Sequence, residues 1–212
     1  MNLYLDNAAT TPVRPEVVEA MAPYLTRWFG NPSSHHEVGE AAASALEAAR
    51  ARVAAILGMR SGDIVFTSGG TESNNTAIKG LVLGSGKKHL VTTAIEHESV
   101  LASADYLARL HGVDVTYAPV DGTGTLSPGA LADALRDDTA LVSVGYANNE
   151  VGTVQDAAAL AAVAHARGVP LHLDAVQAAG WLPLAGLGAD AITIAGHKVG
   201  APKGTGILAV RG

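Results

Sequence analysis

Apolar residues along this chain follow two spacings, and the switch between them lays out the fold. From Pro15, the positions Val17, Val18, Met21, Leu25 and Trp28 recur at helical intervals, and Gly30-Asn31-Pro32 stops the run. An alanine-rich segment from Glu37 to Leu57 predicts a second helix, closed by Gly58. Then the period changes. Asp63-Ile64-Val65-Phe66-Thr67 reads as a short buried strand running into Ser68-Gly69-Gly70-Thr71-Glu72-Ser73, with a helix predicted over Asn74 to Leu83. Further strands are expected at His89–Ala94, Val113–Ala118, Ala140–Gly145, Val169–Asp174, Ala191–Ala195 and Gly206–Val210. Helices are expected between most of them, at Ser99–Leu110, Pro128–Arg136 and Ala157–Arg167. Ser127 before Pro128 supplies an N-cap and first-turn proline, and Gly168 supplies a stop. The strands read as apolar throughout, as burial on both faces requires. Strands alternating with helices predict an α/β fold, a mainly parallel seven-stranded sheet with helices on both faces.

Composition narrows what such a domain does. Hydrophobic residues are 48% and charged residues 16% of 212, which is a globular balance sufficient for one large domain. A net charge of −6 argues against nucleic acid as a partner. No apolar run approaches the ~20 residues that span a bilayer, and Met1-Asn2-Leu3-Tyr4-Leu5-Asp6 lacks the regions of a signal peptide, so a cytoplasmic setting away from membranes is expected. The chain has no cysteine, which excludes disulfides, thiolate metal sites and a catalytic thiol within these residues. No metal site is expected.

In a sheet of this kind ligands sit beyond the carboxyl ends of the strands. After the first strand, Ser68-Gly69-Gly70-Thr71 leads into a helix. Its glycines permit close approach and the helix start presents free N–H groups, which suits a phosphate, although an ordinary turn uses the same residues. It is neither a dinucleotide fingerprint nor a Walker loop. Glu96-His97-Glu98 follows the second strand, and His97 is either a surface residue or one that stacks on a planar ring. Asn148-Asn149-Glu150 places polar amides after the fourth predicted β segment. Asp174 leaves an apolar strand, where an acid is costly unless paired with a cation; it would alternatively cap the following turn. A pyridinium nitrogen is a fitting partner: at ~3 Å and an effective dielectric of ~20, two unit charges attract by roughly 5 kcal/mol before desolvation. Ile192-Thr193-Ile194-Ala195-Gly196-His197-Lys198 brings a lysine to the mouth of a buried strand. Lys198 is either the first solvated residue there or an amine held where it can be neutral and bond an aldehyde. Together these are the handles pyridoxal phosphate needs.

With these residues in place, the sequence closely resembles the cysteine desulfurase and selenocysteine lyase group of class V aminotransferases, fold-type-I pyridoxal phosphate enzymes. The likeness runs through Tyr4-Leu5-Asp6-Asn7-Ala8-Ala9-Thr10-Thr11, Phe29-Gly30-Asn31-Pro32-Ser33-Ser34, Ile64 to Gly80 and Glu96-His97. It continues in Asn148-Asn149-Glu150-Val151-Gly152, Asp174-Ala175-Val176-Gln177, Gly196-His197-Lys198 and Pro202-Lys203-Gly204. The resemblance implies that Lys198 carries the Schiff base and that Asp174 pairs with the ring nitrogen. It implies that Gln177 faces the ring oxygen, that His97 stacks on the ring and shares in catalysis, and that Asn149 also contacts the cofactor. Gly70, Thr71 and His197 would bind phosphate, and Lys203 is the rival lysine. Ala8, Ala9 and Asn31 would belong to substrate-side loops.

The implied reaction converts L-cysteine to L-alanine, with sulfur leaving as a persulfide on a cysteine of a later loop, in sulfur metabolism and iron–sulfur cluster assembly. A homodimer and a sulfur-acceptor or scaffold protein come with the resemblance. The sequence departs from the family in three ways. It is much shorter, so residues 1–212 are expected to be an N-terminal segment plus the cofactor-binding large domain, without the C-terminal small domain and its nucleophilic cysteine. A phosphate ligand donated by the partner subunit should also lie beyond the chain. Ala195 stands where the family usually has a phosphate-touching serine. A thiol-independent relative (selenocysteine lyase-like, C–S lyase or class V aminotransferase) and a non-catalytic cofactor-domain remnant remain alternatives. Because the chain stops directly after its last strand, the isolated piece is expected to be marginally stable, with apolar surface left open.

Overall fold

A computed structural model describes residues 3–212. Six helices, α1 (Pro15–Thr26), α2 (Glu37–Leu57), α3 (Gly70–Ser85), α4 (Glu98–His111), α5 (Pro128–Ala134) and α6 (Ala157–Ala166), accompany seven strands. These are β1 (Ile64–Thr67), β2 (His89–Thr92), β3 (Asp114–Tyr117), β4 (Thr139–Gly145), β5 (Leu171–Asp174), β6 (Ala191–Ala195) and β7 (Gly206–Val210). They form one sheet in the order β1-β7-β6-β5-β4-β2-β3.

The sheet is mainly parallel, as the alternation predicts, with one reversed strand. β6 reaches β7 through a turn with no intervening helix, so β7 runs antiparallel to β6 and also to its other neighbour β1. Two reversals restore the direction, and β1 ends on the same side as β2 to β6. The amino end of β7 lies on that side. A Cβ on Gly206 would stand 2.6 Å from the backbone of Gly69, so only glycine lets β7 start against the turn after β1.

The core has two layers because side chains alternate across each strand. Val91, Val142, Leu171, Leu173, Ile192 and Ala209 pack with Leu57 of α2, Leu131 of α5 and Leu160 of α6. Their neighbours Leu90, Leu141, Ala191 and Leu208 pack against α3 and α4 through Ala77, Ile78, Val82, Val100 and Leu107.

The structure corrects several expectations. β1 is an edge strand, not a buried one: Val65 and Phe66 are 48% and 38% exposed, since nothing pairs beyond it. The buried strands are not apolar throughout, for Ser143, His172 and Thr193 lie inside. α1 has helical spacing but no buried residue, and it ends three residues before Gly30, at its C-cap Arg27. α3 begins at Gly70, not Asn74, because the Ser73 amide already donates to the Gly69 carbonyl. Other termini differ by one to two residues, as strand pairing and helix fraying decide them.

Candidate active site

The carboxyl ends of β1, β2, β4, β5 and β6 surround a cavity of ≈ 490 Å³. Gly70, Thr71, Glu96, His97, Asn149, Asp174, Gln177, His197 and Lys198 all line it, with Ala8 and Ala9 from the N-terminal segment. Every site residue named from sequence on these strand ends is therefore brought together. Lys203 is exposed and outside the lining, and Asn31 is exposed away from it.

At one end stands the first turn of α3, where the Gly70 and Thr71 amides precede the helical ladder and the helix dipole favours an anion. The Glu72 carboxylate accepts from the Ser68 amide at 2.6 Å and keeps that turn in shape. A Cβ on Gly70 would meet Val176 Cγ2 at 2.8 Å and the Ala195 methyl at 3.4 Å, so Ala195 borders this turn. His197 sits close by on the β6–β7 turn, its Nδ1 3.1 Å from Thr10 Oγ1. Burial, then the charges of Lys198 and Lys203, hold its ring below the ordinary histidine range.

In the floor, Asp174 is 8% exposed. Its Oδ2 accepts from Asn74 Nδ2 at 2.6 Å and its Oδ1 from the Val176 amide at 3.0 Å. It thus caps the following turn while also lining the cavity. Among the described residues it has no ion pair. Burial raises its carboxyl above the ordinary range, against those hydrogen bonds and the charges of His97 and Lys198.

Lys198 is half-buried, and its Nζ donates to the Ala8 carbonyl. Gln177 Nε2 donates to the same carbonyl at 2.9 Å. Desolvation lowers the amine below the ordinary lysine range, with Asp174 and Asp6 opposing it. The Asn7–Pro12 segment lies against the β6–β7 turn. Thr11 donates from its amide (2.9 Å) and its hydroxyl (2.8 Å) to the His197 carbonyl, which ties the segment over the mouth of the cavity.

His97 is the N-cap of α4, its Nδ1 accepting from the Ser99 amide at 3.0 Å. Asn148 is consumed by its own loop, accepting from Glu150 and Val151 and donating to Ile95 O, whereas Asn149 is exposed at the rim with its amide on Glu150. Three participants were missed from sequence. Glu96, beside His97, turns its carboxylate inward onto Thr93 Oγ1 and the Gly145 amide, both at 2.6 Å, and burial pushes it up to about 7. Asn74 and Ser99 are buried in α3 and α4. Their signal was present: polar residues on helix faces that otherwise pack on the sheet.

The fold and its relatives agree on the class, that of fold-type-I pyridoxal phosphate enzymes. The chain superposes on a structure titled SspA in complex with cysteine with TM-score 0.95 and 40% identity, covering 99% of this chain and 61% of that one. A NifS-like protein matches with TM-score 0.94 and 38% identity over 100% of this chain and 59% of that one. The chain belongs to the class-V aminotransferase family, whose model matches residues 3–212. Among its relatives is the cysteine desulfurase IscS of Methanosarcina thermophila, 46% identical over 213 residues, 99% of this chain and 52% of that protein. The chain spans about half the length of the curated relatives it matches.

Proposed function

We propose that these residues are the cofactor-holding part of a pyridoxal phosphate-dependent cysteine desulfurase, converting L-cysteine to L-alanine with transfer of sulfur to a protein thiol. Support comes from the relatives named as cysteine desulfurases and from the similar structure solved with cysteine. Residues 1–212 then comprise an N-terminal segment and the large domain. Since they contain no cysteine, the thiol comes from outside them. A homodimer and a sulfur-accepting protein belong to this reading through the family resemblance; among the described residues no helix is long and apolar enough to cross a membrane, and a cytoplasmic setting is part of the proposal.

The observation that carries it is a buried acid without a cation and a half-buried lysine on one cavity, with a helix N-terminus at its end. This donor set fits pyridoxal phosphate. The α3 amides of Gly70 and Thr71, with His197, would hold the phosphate. Asp174 would supply the anion for a protonated ring nitrogen, the partner its burial lacks. Gln177 would face the ring oxygen, His97 the ring, and Asn149 the rim. When bound, the cofactor supplies an aldehyde for an amine and a ring that withdraws electrons from the substrate Cα.

The chain's own work is then proton handling. Lys198, with its amine depressed by desolvation, spends more time neutral at physiological pH than an exposed lysine and can take a proton from the substrate Cα. The Ala8 carbonyl orients that amine, and Asp6, Ala8 and Ala9 of the N-terminal segment line the cavity beside it.

The test is borohydride reduction of the full-length protein loaded with pyridoxal phosphate, followed by peptide mapping. The label is expected on the Gly196-His197-Lys198 peptide and is lost in Lys198→Ala. A label elsewhere, or none, overturns the reading. Formation of pyruvate, ammonia and sulfide from cysteine, without alanine or a thiol-labile persulfide, would instead identify a C–S lyase.

A further inference from the structure

His97 and Asp174 are joined through two side chains that have no place in the scheme above. Asn74, 1% exposed, gives one Nδ2 hydrogen to Asp174 Oδ2 at 2.6 Å and the other to Ser99 Oγ at 2.9 Å. Ser99, 6% exposed, lies with Oγ 2.8 Å from His97 Nδ1. The proton directions follow. The Ser99 amide donates to His97 Nδ1 at 3.0 Å, so Nδ1 carries no proton, and the Ser99 hydroxyl, which accepts from Asn74, gives its own proton to Nδ1. The ring proton is therefore on Nε2, the nitrogen left for the cavity.

The Asn74 orientation is fixed by the same acid. Turning the amide over would set its oxygen against a carboxylate oxygen, so Oδ1 stays buried without a partner among the described residues. An unpaired buried oxygen is tolerated where both hydrogens of the amide are committed.

The geometry points to Asn74 and Ser99 as positioning residues that couple Asp174 to His97, so that a positive group arriving at Asp174 makes the His97 Nε2–H a stronger proton donor. While Asp174 is an unpaired anion it draws strongly on one Asn74 hydrogen and weakens donation by the other. A cation on Asp174 relaxes that draw. Asn74 then donates more strongly to Ser99, Ser99 to Nδ1, and electron density at Nε2 falls. This rests on the proposed function only for the identity of the cation; the chain of hydrogen bonds belongs to the protein itself.

The experiment is nitrogen-15 NMR of the histidine-labelled full-length protein, recorded before and after loading pyridoxal phosphate, with His97→Gln assigning the resonances. The wild-type ring is expected to carry its proton on Nε2. Removing the carboxylate with Asp174→Ala, which leaves Asn74 free to keep donating to Ser99, should shift the His97 Nδ1 signal toward stronger hydrogen bonding. In a Ser99→Ala background the same substitution should shift it by less than half as much, and Ser99→Thr should restore the full response. A proton on Nδ1 in the wild type, or equal responses in the serine and alanine backgrounds, overturns the coupling. Because the unloaded protein reports it, failure here is separate from failure of the borohydride label.

Discussion

The two faces of the sheet come from the same strands yet have different compositions. Toward α2, α5 and α6 the buried strand residues are mostly hydrocarbon (Val91, Val142, Val144, Leu171, Leu173, Ile192 and Ile194), with His89 at the amino end of β2 a polar exception. Toward α3 and α4 the alternate positions include Thr92, Ser143, His172, Asp174 and Thr193. His172 bridges three strands there, its Nδ1 2.8 Å from Ser143 Oγ on β4 and its Nε2 3.0 Å from Thr193 Oγ1 on β6. One position further along that face is Asp174, then the cavity. The hydrocarbon face has one duty, to exclude water. The other must do so while holding polar groups in fixed orientations, and it succeeds because nearly every one has a partner.

The sharpest test of that division pairs one substitution from each face of β5. Leu173→Ala removes a fully buried side chain and should cost about 2–5 kcal/mol in urea unfolding, with cofactor binding unchanged in the molecules that stay folded. Asp174→Asn should do the reverse. It removes a buried carboxyl whose ionisation the fold opposes, so stability holds or rises, while cofactor affinity, read by absorbance titration, collapses. Equal losses of stability from both would erase the distinction.

A smaller effect is expected at Ala195, the methyl beside the α3 turn. Ala195→Ser would return a hydroxyl next to the amides proposed to hold phosphate. A hydrogen bond to a charged group contributes about 1.5–3 kcal/mol, so the same titration should show affinity rising roughly tenfold to a hundredfold. No change would mean that the hydroxyl does not reach the anion.

The same contrast explains how much was legible from sequence. The parallel α/β sheet and the gathering of these side chains at its strand ends could be read because both follow from local pattern: apolar runs, a glycine turn into a helix, and Asp174 and Lys198 at strand ends. Reversal of β7 could not, since it depends on which neighbour a strand meets after a helix-free turn. His172 was hidden by its setting, because Leu-His-Leu-Asp scores as a strand whether its histidine faces water or two hydroxyls. Asn74 and Ser99 needed the packing of α3 on α4 and the sheet to become neighbours of Asp174 and His97. The exposed face of α1 shows the opposite failure: helical spacing alone does not say whether an apolar stripe is covered within these residues.

The gentlest probe of the polar face is pH, since two of its groups pull stability in opposite directions. Glu96 ionises near 4.5 when unfolded but is held up to about 7 in the native protein. Between those values the native state keeps a proton that the unfolded state has lost, so this group makes stability fall as pH rises from about 4.5 to about 7. Asp174, raised by burial, acts with the same sign. His172 does the opposite. It would protonate near 6.5 when unfolded but is pushed down to about 3 by complete burial, so it makes stability fall as pH drops through that interval. His89, lowered by burial between Thr139 and Thr116, reinforces it. Over the shared interval the slopes offset, and urea unfolding of the wild type should give a flat profile. Glu96→Gln should unmask a rise of stability with pH there, of at most about one proton in slope, and His172→Leu should unmask a fall. If both variants keep the wild-type profile, the polar face carries no titratable load, and the two sides of the sheet differ in composition without differing in energetics.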